Sequence, residues 1–391
     1  MSDRWRILAA LTLARVSMAL AFQSVAALAP PMMAAAGLGW DGIGALIGAF
    51  MAPGVVAALL GGWLGQRFGA GRVAIAGLVV MALAGLAMAA ATGFPALLAT
   101  RLAVGVGAVA LNVMLTKMAA DWFPGRDLPM AMGVLATSWP LGIALAMVAL
   151  PPLGAALGWR ETFAGTAALG LLAAAMLTAA WRPPAQEGAG AAASAPGVRL
   201  TRYELGLTLL AGLIWGLYNA ALVSVLAYGA DLLAARGRDP VAAAAAISGV
   251  SWACAVTVAL GGWLATRSGR PDLVTGAALG GAAAALVAMV AVESGPAAAA
   301  LPVVAGFVMG PAAGPILALT ARMARPAVRT LATGLFFSLY YAVFGGGPAL
   351  VGLLREATRD PAAPILASAA MMAAALPLYA LFRALPPPGP R

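Results

Sequence analysis

Long apolar runs organise this chain, with little sign of strand-like alternation. Stretches of about twenty residues, nearly free of charge, are long enough to cross a bilayer core as helices. Short segments carrying Arg, Asp, Pro and Gly separate them. Reading runs against breaks predicts twelve helical spans near 6–28, 42–64, 72–92, 95–119, 129–152, 161–181, 203–229, 241–265, 272–292, 297–321, 328–353 and 362–382. Only Thr92-Gly93-Phe94 separates the third span from the fourth, so these two form an antiparallel hairpin. No small-residue cleavage site closes the run after Trp5-Arg6, so that run is read as the first span and not as a signal peptide.

Composition agrees with a membrane protein. Of 391 residues, 63% are hydrophobic and 9% charged, against about 25% charged in a soluble domain. The net charge of +10 could suggest nucleic acid, but the basic residues are not clustered on a soluble face. They sort by loop. With the N-terminus in the cytoplasm, sixteen Lys and Arg fall inside and five outside (Arg160, Arg236, Arg238, Arg355 and Arg359), leaving Arg15 and Arg101 within spans. This is the positive-inside pattern, and it predicts a multi-pass bacterial inner-membrane protein with both termini cytoplasmic. The single cysteine, Cys254, and the lack of histidine exclude His-based catalysis and the usual metal motifs. No cofactor is expected, and the expected partners are the bilayer and a small-molecule substrate, with the protein acting as a monomer.

The chain also repeats itself. Gly61-Gly62-Trp63-Leu64 recurs as Gly261-Gly262-Trp263-Leu264, and Arg67 and Gly69 recur as Arg267 and Gly269. Phe22-Gln23 in the first span sits where Tyr218-Asn219 sits in the seventh. The segment 182–202, with Pro183-Pro184 and a Gly/Ala-rich stretch, has the composition of a flexible linker. It divides the chain into six-span halves at 1–181 and 203–391. Transporters built from two parallel repeats place substrate between the halves near the midplane.

The stretch Gly62-Trp-Leu64-Gly65-Gln66-Arg67-Phe68-Gly69-Ala70-Gly71-Arg72 resembles the loop 2–3 signature of the major facilitator superfamily, G-x-L-A-D-R-x-G-R-[KR]. Arg101, Gly105 and Gly107 on the fourth span resemble a second signature, R-x-x-x-G-x-G, and Gly158-Trp159-Arg160 is similar to a common loop element. The resemblance implies an all-α fold of twelve transmembrane helices in two pseudo-repeats, and transport by alternating access. Arg67 and Arg267 would then belong to the cytoplasmic gate. Gln66 stands where the signature has Asp, which puts a gate lock of that form in doubt. Gln here is similar to bacterial permeases of the cyanate and nitroimidazole type. The fifth span lacks a full antiporter signature, which disfavours drug–proton antiport.

Candidate site residues follow from what a bilayer penalises. Arg15 lies near the middle of its span, where a charge costs at least about 2.5 kcal/mol, so an anion-binding role competes with snorkelling or backbone pairing. Arg101 is read either as part of the solute or proton pathway or as a tie between helices. Asn112, eleven residues on, returns to nearly the same face. Lys117 and Asp121 read as an interfacial i,i+4 pair. Trp215, Tyr218, Asn219 and Leu222 share a face of the seventh span, and Phe337, Tyr340, Tyr341 and Phe344 share one in the eleventh. Such stripes serve packing or binding; the resemblance places the seventh span at the cavity, adding Trp215, Tyr218, Asn219 and their counterpart Gln23. Pro311 and Pro315, with Gly306, Gly310 and Gly314, mark the tenth span as a gating hinge or a close-packing face.

All thirteen Asp and Glu fall in loops or within about two turns of a span end. A site with intramembrane Arg and no mid-membrane acid suits an anion or a neutral polar solute. The leading expectation is therefore a permease for a small anionic or polar organic solute. The alternative is an exporter of hydrophobic or aromatic compounds using the aromatic stripes. A membrane enzyme is disfavoured for want of a catalytic constellation.

Overall fold

A computed structural model describes residues 3–38, 40–183 and 199–388. The described residues are helical, with no strand, and twelve helices are long and apolar enough to cross a membrane. The expected linker falls mainly on 184–198, outside the described residues.

In chain order the helices are α1 (Asp3–Ala27), α2 (Ala29–Ala36), α3 (Trp40–Met51), α4 (Gly54–Phe68), α5 (Ala70–Ala90), α6 (Phe94–Trp122), α7 (Leu128–Leu157) and α8 (Trp159–Ala180). After the linker come α9 (Arg202–Ala235), α10 (Pro240–Ser268), α11 (Pro271–Ala291), α12 (Gly295–Met309), α13 (Ala313–Leu317), α14 (Arg329–Thr358) and α15 (Ala363–Ala384). Two spans are interrupted, and the first ends at a break. Pro30 and Pro31 cannot donate to the carbonyls of Ala26 and Ala27, and the first helix breaks at Leu28. The second span breaks at Ala52-Pro53 for the same reason. In the tenth, α12 gives way to 3-10 turns at Gly310–Ala312 and Ala318–Ala321 that flank α13.

Several expected ends move. The second span runs to Phe68, not 64, and the seventh to Ala235, not 229. Asp231 lies within this longer helix, and Arg355 Nε binds its carboxylate at 2.7 Å.

The described residues form two compact units. One comprises those of Met1–Phe123, Ser138–Leu200 and Pro326–Ser338; the other those of Pro124–Thr137, Thr201–Arg325 and Leu339–Arg391. The duplicated Gly-Gly-Trp-Leu makes the same contact in each. In the first unit a Cβ on Gly62 would lie 2.8 Å from Gly334 Cα; in the second, one on Gly262 would lie 3.1 Å from Gly133 Cα. Only glycine lets the backbones approach so closely. Gly69 and Gly269, which close the two copies, both hold positive φ, 90° and 65°, a conformation that side chains with a Cβ resist.

Candidate functional site

Within the first unit, Arg15 sits at the midpoint of α1, twelve residues from either end of its 25. At 1.5 Å per residue that is about 18 Å from each, and the side chain is only 6% exposed. Gln23, two turns on, donates from Nε2 to Met147 Sδ at 3.1 Å and is half-buried. Asn112 is buried in α6, and its backbone carbonyl accepts the Thr116 hydroxyl at 3.1 Å.

Arg101 makes the contacts of a tie. It is 1% exposed. Nε donates to Leu46 O at 3.2 Å, Nη1 to Ala21 O at 2.8 Å and Nη2 to Phe22 O at 2.5 Å. Its guanidinium carbon lies 4.8 Å from the Phe50 ring centroid. One side chain on α6 thus clasps the last turns of α1 and of α3, the helix segments that precede the two proline breaks. Of the two roles the sequence left open, this geometry is that of the structural one.

The last turns of α4 and α6 and the first of α14 carry a second layer of contacts. Lys117 pairs with Asp121, whose other carboxylate oxygen lies 3.8 Å from Arg329 Nη1. Gln66 donates from Nε2 to Ala327 O at 3.1 Å, so the amide in the signature's acidic position meets a backbone acceptor. In the second unit Arg126 donates to the carbonyls of Thr266 and Arg267 at 3.0 and 2.9 Å. Glu204, fully buried, closes the capping box of α9 with Thr201 and accepts from Arg325 Nε at 2.7 Å. This hydrogen bond also raises the pKa of Arg325. Arg67 and Arg267, the expected gating cations, are exposed, stacked on Trp63 and Trp263 of their own helices at 5.8 and 5.4 Å. Gln66, Arg126 and Arg329 were not among the expected site residues. The repeat points only loosely to two of them: Arg126 and Arg329 lie near the starts of the fifth and eleventh spans, but 203 residues apart and not the 200 of the duplicated Gly-Gly-Trp-Leu.

In the second unit Trp215 and Tyr218 stack with centroids 5.5 Å apart. Tyr218 is 2% exposed, and its hydroxyl donates to Met309 O at 3.3 Å. Asn219 is half-buried and donates to Trp215 O at 2.8 Å. Pro311 and Pro315 lie in the interrupted tenth span. Both readings of that span have a structural counterpart: the helix is broken there, and Gly310 packs on α10, where an added Cβ would lie 2.9 Å from both Cys254 O and Val258 N. Each described carboxylate on a helix lies within about two turns of an end, as at Asp121, Glu161, Glu204, Asp231 and Asp272. Among the described residues no group of three or more His, Cys, Asp or Glu could hold a metal ion.

Several known proteins are similar to this chain. The profile of the Major Facilitator Superfamily matches residues 11–234. The hexuronate transporter of Bacillus subtilis (strain 168) is 32% identical over 113 residues, which cover 29% of this chain and 27% of that protein. The 3-(3-hydroxy-phenyl)propionate transporter of Escherichia coli (strain K12) is 32% identical over 162 residues, 41% of this chain and 38% of that one. The chain therefore matches well under half the length of these curated relatives. The solved structure of the proton:xylose symporter XylE has a TM-score of 0.76 at 15% identity, covering 97% of this chain and 96% of that one; it is evidence for the fold alone. The expected likeness to cyanate- and nitroimidazole-type permeases gains no support from these relatives, whose named cargoes differ.

Proposed function

The chain belongs to the Major Facilitator Superfamily, and on that footing we propose that it is a permease moving a small organic anion across a bacterial inner membrane by alternating access. The observation that carries this reading is Arg15, buried at the centre of a membrane helix, while the described carboxylates keep to helix ends. An intramembrane charge persists where a ligand, a water-filled cavity, a partner charge or backbone carbonyls use it, and by default it marks a functional site. The two curated relatives are named for hexuronate and 3-(3-hydroxy-phenyl)propionate; both are organic carboxylates, which supports an anionic cargo. The protein works as a monomer of two six-span halves, with both ends on the cytoplasmic side where the Arg-rich loops lie.

Thermal melting of the purified protein tests the reading. A carboxylate cargo at a hundred times its Kd stabilises by about 2.7 kcal/mol, which raises Tm by a few degrees. The corresponding primary amide, equal in shape but uncharged, leaves Tm in place. Equal shifts for acid and amide would remove the charge from the account.

A further inference from the structure

The aromatic residues of α9 and α14 form a continuous stack within the second unit. Tyr218 stacks on Trp215 at 5.5 Å, Trp215 meets Tyr340 at 6.1 Å, and Tyr340 stacks on Phe344 at 5.3 Å. The successive interplanar angles are 14°, 32° and 29°, so the faces stay roughly parallel along the run. The spacings are those of offset-stacked rings.

The two ends of the stack differ. At Tyr218 it is closed, since that ring is buried and its hydroxyl is held by Met309 O. At Tyr340 and Phe344 it is only half-buried. The most exposed apolar residues of α14, Leu350 and Leu353, are 67% and 61% exposed. At about 100° per residue, Phe344 lies about 120° and 180° round the helix from them, and Tyr340 about 80° and 140°. The neighbouring face instead packs on α9, where Gly216 meets Val343 and Gly347 meets Ala220.

We propose that Tyr340 and Phe344, backed by Trp215, are a shelf on which a flat unsaturated ring of the cargo stacks, so that the cargo is an aromatic carboxylate and not a sugar acid. The inference rests on the reading of the cargo as an organic anion. The residues that it names all lie within the second unit. Each stacked ring pair contributes beyond the area it buries. A phenyl ligand should therefore bind about 3- to 10-fold more tightly than its saturated cyclohexyl counterpart, which buries similar area without a π face.

The test is equilibrium binding to the full-length purified protein of 3-phenylpropionate, 3-cyclohexylpropionate, galacturonate and 3-phenylpropionamide. The shelf predicts that phenylpropionate binds more tightly than both cyclohexylpropionate and galacturonate. Phe344→Leu should bring the phenyl-to-cyclohexyl ratio close to one, and Phe344→Tyr, which keeps a ring, should preserve it. A wild-type ratio near one, or a ratio that Phe344→Leu leaves unchanged, overturns the shelf. The amide separates this from the anion reading. If it binds as tightly as the acid while the ring preference persists, the anion reading fails and the shelf stands. If acid exceeds amide with no ring preference, the shelf fails and the anion reading stands.

Discussion

Arg15→Ala is expected to abolish saturable uptake while the protein still inserts and elutes as a single species. Removing a charge from mid-helix lowers the cost of insertion by at least about 2.5 kcal/mol, so assembly should not suffer. Truncating one partner of a buried, hydrogen-bonded charge pair costs about 2–5 kcal/mol. For a bound carboxylate this corresponds to at least about a 30-fold loss of affinity. Arg15→Lys keeps the charge but loses the planar two-donor fork, and an intermediate loss of about tenfold is expected. Uptake by vesicles, paired with size-exclusion profiles of each variant, measures both halves of the claim. Uptake at wild-type affinity in Arg15→Ala would end the role assigned to this residue.

Arg101→Ala is expected to act in the opposite way, on the fold first. The guanidinium donates to three backbone carbonyls on two helices. Hydrogen bonds to charged groups contribute about 1.5–3 kcal/mol each, so even a third of the combined value is a large share of a protein's stability. The loss falls beside the breaks at Leu28 and Ala52-Pro53, where the helices already lack backbone bonds. Purified Arg101→Ala should give low yield and melt several degrees early. Arg101→Lys should recover only part, because one ammonium cannot span carbonyls of Ala21, Phe22 and Leu46 together. Arg101→Ala that melts with the wild type yet loses uptake would move Arg101 from scaffold to pathway.

These two arginines show where sequence reading reaches and where it stops. Both stand out as charges within apolar runs, and the cost of such charges marks them as important. Their roles were not legible. The acceptors for Arg101 are backbone carbonyls on apolar residues, whose side chains carry no trace of the contact. Gln66 looked like the loss of an acidic lock, because its acceptor, Ala327 O, is equally silent. The twelve spans were legible because lipid demands long apolar helices, and the repeat was legible because the Gly-Gly contact needs the same residues twice. Span ends were less so: Asp231 lies within the seventh helix, and its partner Arg355 is 124 residues away. The aromatic faces of α9 and α14 could each be read from helical spacing. Their joining into one stack depends on helix packing, which spacing along the chain does not encode.

The central claim, an organic-anion permease, is tested most directly by counterflow in proteoliposomes of the purified protein. Vesicles loaded with unlabelled 3-phenylpropionate should accumulate the labelled acid transiently and saturably, with competition from other organic carboxylates and none from their amides. Accumulation that only neutral or cationic solutes compete for, or none above empty liposomes with any carboxylate, would contradict it.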